Sequence, residues 1–82
     1  MESKKLAAEI RKAEKRIERA EEEIDALDRE RKALEAEMND EAATDYVRLS
    51  EITVRIEEIG KRTDELFLDM EKAEKFLSEN KF

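Results

Sequence analysis

From Leu6 onward, apolar or small residues recur at alternating steps of four and three: Leu6, Ile10, Ala13, Ile17, Ala20, Ile24, Leu27, Leu34 and Met38. Arg31 takes the one position of the series that is not apolar. A second series with the same alternation runs through Ala42, Leu49, Ile52, Ile56, Ile59, Thr63, Leu66, Met70, Ala73 and Leu77, and Val47, Phe67, Leu68 and Phe76 broaden its stripe. Sustained heptads of this kind predict two helices that each offer a narrow apolar seam to a partner.

Between the two series, Asn39 to Thr44 is the only plausible break, because Asn tolerates the left-handed conformation that ends a helix and Asp40 or Thr44 suits the cap of the next one. A connection this short makes the helices antiparallel neighbours. The fold class expected is therefore all-α: one domain over residues 1–82, a two-helix antiparallel coiled-coil hairpin with helices over about residues 4–38 and 45–79 and a turn over about 39–44. Pivoting near residues 41–42 puts Ala20 near Thr63 and Ala13 near Met70, so that the alanine-rich end of the first arm faces bulky residues of the second. Arg31 is expected to fix the register by reaching out to a carboxylate such as Glu51. Gly60, in mid-helix at the edge of the seam, is either tolerated at a cost of about 1 kcal/mol or permits a close approach.

Composition narrows the chemistry. Half of the 82 residues are charged, proline is absent and there is one glycine. Neither His nor Cys occurs, which removes histidine general bases, catalytic triads of the usual kinds, thiolate metal sites and disulfides. One glycine does not make a phosphate-cradling loop. The many carboxylates, such as Glu21, Glu22 and Glu23, read as a solvated helix face, since consecutive helical residues point about 100° apart and do not converge on a shared pocket. The chain is expected to be non-enzymatic, to bind no cofactor or metal, and to act on no small-molecule substrate. No apolar run approaches the roughly 18 residues that span a bilayer, and the first residues lack the apolar core of a signal peptide, so no membrane partner and a cytoplasmic location are expected.

The net charge of −7 is unevenly spread. The first twenty residues hold seven cations against four carboxylates, a local charge of +3, which leaves −10 for the rest. Of these cations, Lys4, Lys5, Arg11, Lys12, Lys15 and Arg19 fall on the outward face of the first helix in a stripe about 23 Å long, and Arg16 adds to the same region. Such a stripe suits the tracking of phosphates, with weak and salt-dependent binding and no interleaved aromatics for base stacking. Plain solvation of a coiled coil produces the same pattern, and the residues alone leave both readings open.

The turn and the start of the second helix, Glu37-Met38-Asn39-Asp40-Glu41-Ala42-Ala43-Thr44-Asp45-Tyr46-Val47-Arg48-Leu49, resemble the C-terminal coiled-coil domain of the ABC-F family ATPases, Uup-like ABC proteins without a membrane domain. In that family a heptad helix ends in an acidic turn followed by an Asp-Tyr pair, a Leu and a second heptad helix. Asp45, Tyr46 and Leu49 match, and Leu66-Phe67 stands where the family often has Leu-Tyr. Glu41 departs from a frequent Pro and Met70 from a frequent Trp. The resemblance covers nearly the whole chain. It implies a fragment of a larger ATPase, with Met1 an added start and Phe82 the parent's end, whose ATP and Mg would sit in two cassettes outside this chain. It further implies an accessory arm that contacts DNA, ribosomal RNA or the ribosome, with Tyr46 packing in the turn. The alternative is a protein-interaction or oligomerisation coiled coil without nucleic-acid binding, in which Phe67, Leu68, Phe76 and Phe82 pair with another helix. A monomer is expected.

Overall fold

The computed structural model describes residues 2–40 and 44–80. Helix α1 runs over Glu2–Met38 and helix α2 over Tyr46–Asn80. Both are rich in Ala, Leu, Glu, Lys and Arg and free of proline, so nothing in either interrupts the backbone ladder. Helices of 37 and 35 residues owe their stability chiefly to the apolar stripe each one buries. They pack side by side as an antiparallel hairpin, a rod of 63 × 17 × 15 Å.

The core is a single line of side chains. Ile52, Ile59, Leu66 and Ala73 are buried on α2 at seven-residue spacing, and Ala13, Ala20 and Leu27 are buried on α1 at the same spacing. Ala20, Leu27, Ile59 and Leu66 form one cluster, with Ile24, Leu34 and Met70 packed against it half-buried. These residues occupy the d positions of the two heptad repeats, and the a positions flank them. Ile59 is 2% exposed and Ile52 fully buried, so the bulk of the seam comes from α2 and the small Ala13 and Ala20 of α1 accommodate it.

Several details depart from the sequence reading. The second helix starts one residue later because Asp45, rather than Asp40 or Thr44, caps it. Its Oδ1 accepts from the Arg48 backbone N–H at 3.1 Å, and its carbonyl accepts from Leu49 N–H at 2.9 Å, which satisfies a donor that a helix start otherwise leaves open. The first helix does not end on a left-handed Asn39. It closes through Asn39 N–H to Glu35 O and Asp40 N–H to Glu37 O, and no described non-glycine residue has a positive φ. The cross-arm pairs Glu23–Arg62, Glu30–Arg55 and Glu37–Arg48 are the contacts between g positions that flank a seam with Ala20 at the level of Thr63 and Ala13 at that of Met70, so they are compatible with the expected pivot. Ala20 packs with Leu66 and Ile59.

Val47, Phe67 and Leu68 do not broaden the seam. They are 71%, 53% and 57% exposed, because they fall on positions that flank or oppose the buried line, and only Phe76 of that group is half-buried. Tyr46 is 84% exposed, so the packing expected of it at the turn is not formed. Met1, Glu41, Ala42 and Phe82, singled out in the sequence, lie outside the described residues.

Gly60 makes no close approach: a Cβ built there meets nothing within 4 Å. Two neighbouring substitutions should therefore act in opposite directions. Ile59→Ala is expected to destabilise the hairpin by about 3 kcal/mol through the lost burial and the cavity left behind. Gly60→Ala is expected to stabilise it by about 1 kcal/mol through helix propensity alone. Urea denaturation followed by circular dichroism measures both.

Candidate functional site

Three cross-arm ion pairs set the register of the hairpin. Arg48 donates from Nε and Nη2 to the two carboxylate oxygens of Glu37, the latter bond at 2.8 Å. Arg55 holds Glu30 in the same two-pronged way at 2.6 and 2.9 Å, and Arg62 holds Glu23 at 2.5 and 3.1 Å. The three glutamates and the three arginines each recur every seven residues, at the g positions, so they line one flank of the seam. A planar guanidinium matches a carboxylate in one orientation only, which makes a slipped register costly to satisfy.

Each glutamate of the row is held below the ordinary carboxylate range, first by the arginine hydrogen bond and less by its charge, with partial desolvation opposing both. Arg48, Arg55 and Arg62 are correspondingly raised by their glutamate partners. Arg31 does not reach Glu51. It bridges Asp28 at 2.6 Å and Glu35 at 2.8 Å on its own helix, because these lie within one turn of it, whereas Glu51 pairs with Arg48 at 3.3 Å.

One heptad beyond Glu23 and Arg62, toward the end of the rod opposite the turn, the row continues as Arg16 on α1 and Asp69 on α2. Here a shallow groove of about 720 Å³ opens along the flank. Its lining includes Arg11, Lys12, Lys15, Arg16 and Arg19 of α1, with Ala8, Ala20 and Leu66 forming its apolar part and Glu23, Arg62 and Asp69 closing the far side. The structure thus brings five of the seven cations of the sequence reading to one concave surface. Lys4 and Lys5 stay exposed on α1 nearer its start, outside the groove lining.

All five groove cations are exposed, and no described carboxylate of α2 pairs with them. Of the two carboxylates in the lining, Glu23 is taken by Arg62 and Asp69 has no such ion pair. Chemically, the surface offers a row of flexible cations beside small side chains that let a bulky anion come close to the helix. The contribution of Ala8, Ala20 and Asp69 is not visible in a charge count; it requires the register.

Among the described residues no group of His, Cys, Asp or Glu is arranged to hold a metal ion, and no helix is long and apolar enough to cross a membrane. Fold and groove together define the class: an antiparallel coiled-coil hairpin with a basic groove on one flank. No protein-family model, no curated protein and no solved structure matches the chain.

The arginine–glutamate row carries a pH dependence of known sign. A carboxylate whose value is depressed on folding contributes stability that is present above its unfolded value and lost as the pH falls through the folded one. The ordinary value for glutamate being 4.5, the contribution of Glu23, Glu30 and Glu37 should persist at neutral pH and disappear progressively below 4.5. The triple variant E23Q/E30Q/E37Q should accordingly melt below the parent chain at neutral pH and at the same temperature as it once the depressed values have been passed. Thermal melts of both proteins at matched ionic strength, run as a pH series, make the comparison.

Proposed function

We propose that the chain is a non-catalytic arm that contacts nucleic acid through the basic groove, in the manner implied by its resemblance to the C-terminal coiled-coil domain of an ABC-F type ATP-binding protein. The observation that carries the reading is the convergence of Arg11, Lys12, Lys15, Arg16 and Arg19 on one groove. Unlike Arg48, Arg55 and Arg62, which stabilise the hairpin, these five have no work to do across the seam. Charges that do not serve the fold are available to a ligand.

The chemistry suits phosphates. Lys12 and Arg19 repeat at seven residues, about 10.5 Å along the axis, with Lys15 and Arg16 between them, so a strand laid along the groove meets a cation at every helical turn. The groove lining contains no aromatic side chain, and base stacking has no platform; recognition rests on backbone charge and shape. DNA, structured RNA and the ribosome all present that chemistry. In this reading the rod supplies reach, Lys4 and Lys5 extend the positive field, and any ATP and Mg belong to cassettes outside this chain. The chain alone neither binds nor hydrolyses ATP.

Fluorescence anisotropy of a labelled branched DNA and a labelled structured RNA, titrated at two salt concentrations, tests the proposal. Binding is expected with a log–log salt slope of about −3.6 to −4.5, as four or five phosphate contacts to a duplex produce. The variant R11E/K12E/K15E/R19E should lose it while keeping its helical circular dichroism, since none of the four residues packs in the seam. Absence of binding to either probe at low salt would overturn the reading.

A further inference from the structure

The two flanks of the seam differ in kind, and the flank away from the basic groove is unfinished. The three two-pronged cross-arm ion pairs all lie on the glutamate–arginine flank. On the other flank α1 presents Glu21, Asp28 and Glu35 at heptad spacing, and the matching positions of α2 are Thr53, Gly60 and Phe67, none of them charged. An acidic row faces an uncharged one. Arg31, between Asp28 and Glu35, and Lys32, beside Asp28, are the cations bound to that row, and both belong to α1 itself.

At the middle of this flank the seam is open to the surface. A notch of about 400 Å³ is bounded by Ile24, Ile59 and Thr63 on its floor and by Phe67 on its rim, over the missing side chain of Gly60. Phe67 is 53% exposed there. Three carboxylates, Asp25, Asp28 and Asp64, stand around it against one guanidinium, Arg31. An exposed aromatic ring beside an apolar notch is a surface that gains by being covered, and the charges around it select what covers it.

We propose that this flank docks a basic amphipathic helix: a partner segment with an aliphatic edge that enters the Gly60 notch beside Phe67 and with Lys or Arg on either side to meet Asp25, Asp28 and Asp64. The hairpin plus this segment forms a three-helix bundle, in which the incoming cations supply what α2 lacks at Thr53, Gly60 and Phe67. A second copy of the chain fits poorly, because two-fold pairing through this flank sets one acidic row against another. The inference is independent of the basic groove, which lies on the opposite flank.

The test uses the full chain, labelled with nitrogen-15 and titrated with a three-heptad helical peptide of Leu at the seam positions and Lys elsewhere. A peptide with Glu in place of Lys and one with Gln in place of Leu run beside it. The Leu/Lys peptide is expected to bind, with amide shifts centred on Asp28, Gly60, Thr63, Asp64 and Phe67, and the other two are expected to bind at least about tenfold more weakly. Gly60→Lys is the decisive variant: open space around a Cβ at that position and better helix propensity keep the hairpin folded, while the new side chain fills the notch and places a cation among its acids. It should raise or preserve the melting temperature and weaken the Leu/Lys peptide about tenfold or more. The proposal is overturned by shifts spread over acids all along the rod, by equal binding of the Leu/Glu or the Lys/Gln peptide, by a Gly60→Lys variant that binds unchanged, or by concentration-dependent self-association in sedimentation that Gly60→Lys abolishes.

Discussion

A two-helix hairpin has one seam to bury, and every other feature of this molecule is arranged around that limit. Ile52, Ile59 and Leu66 supply the bulk from α2, and Leu27, Ala20 and Ala13 meet them from α1 with side chains that shrink away from the turn. No third layer exists to correct a mistake in rotation or register, because hydrophobic attraction is non-directional and a seam shifted by a heptad buries a similar area. Directional contacts must decide between such alternatives. The three two-pronged arginine–glutamate pairs on one flank supply them, and their worth lies in specificity, since charges as exposed as Arg55 at 43% and Glu30 at 41% are screened by water.

Placing all of the register-setting charge on one flank has a consequence on the other. The heptad positions of α2 opposite the acidic row of α1 are relieved of any pairing duty, and Thr53, Gly60 and Phe67 occupy them. Arg31 shows the same economy from within α1. It sits at a seam position but satisfies Asp28 and Glu35 of its own helix, so the one polar break in the first apolar series lowers the repulsion along the acidic row instead of reaching across. One flank is thus closed by contacts between the arms, and the other is open to contacts from outside.

The sequence made the two arms, their antiparallel packing and the basic stripe legible, because heptad periodicity, the lack of proline and a short connection each have few structural meanings. It did not reveal the Glu23–Arg62, Glu30–Arg55 and Glu37–Arg48 pairs that hold the register, because their seven-residue repeat is easily overlooked among two dozen acids. It assigned Val47, Phe67 and Leu68 to the core because side-chain type alone does not distinguish a seam position from the next one round the helix. It placed the cap on Asp40 or Thr44 when Asp45, also a good cap, stood nearer the first seam residue of α2. The groove was visible as charge but not as shape, since Ala8, Ala20 and Asp69 enter it only through the packing of the two arms.

The net charge of −7 says little about what this rod attracts, because charge acts locally over such a length. At physiological ionic strength the Debye length is about 8 Å, whereas the rod is 63 Å long. The cations of the groove lie along α1 between Arg11 and Arg19, in the half opposite the turn, and acids near the turn such as Glu35, Glu37 and Glu51 lie more than two Debye lengths away. An anion approaching the groove meets five cations, Asp69 and the mutually neutralised Glu23–Arg62 pair, and a cation approaching the Gly60 notch meets three carboxylates and one arginine. The separation runs along the rod and also around it, since the two surfaces occupy opposite flanks of a seam too thin to isolate them by distance alone. Opposite preferences can coexist on so small a chain because the neutralising pairs, Glu23 with Arg62 above all, stand between them and end the positive surface where the acidic one begins.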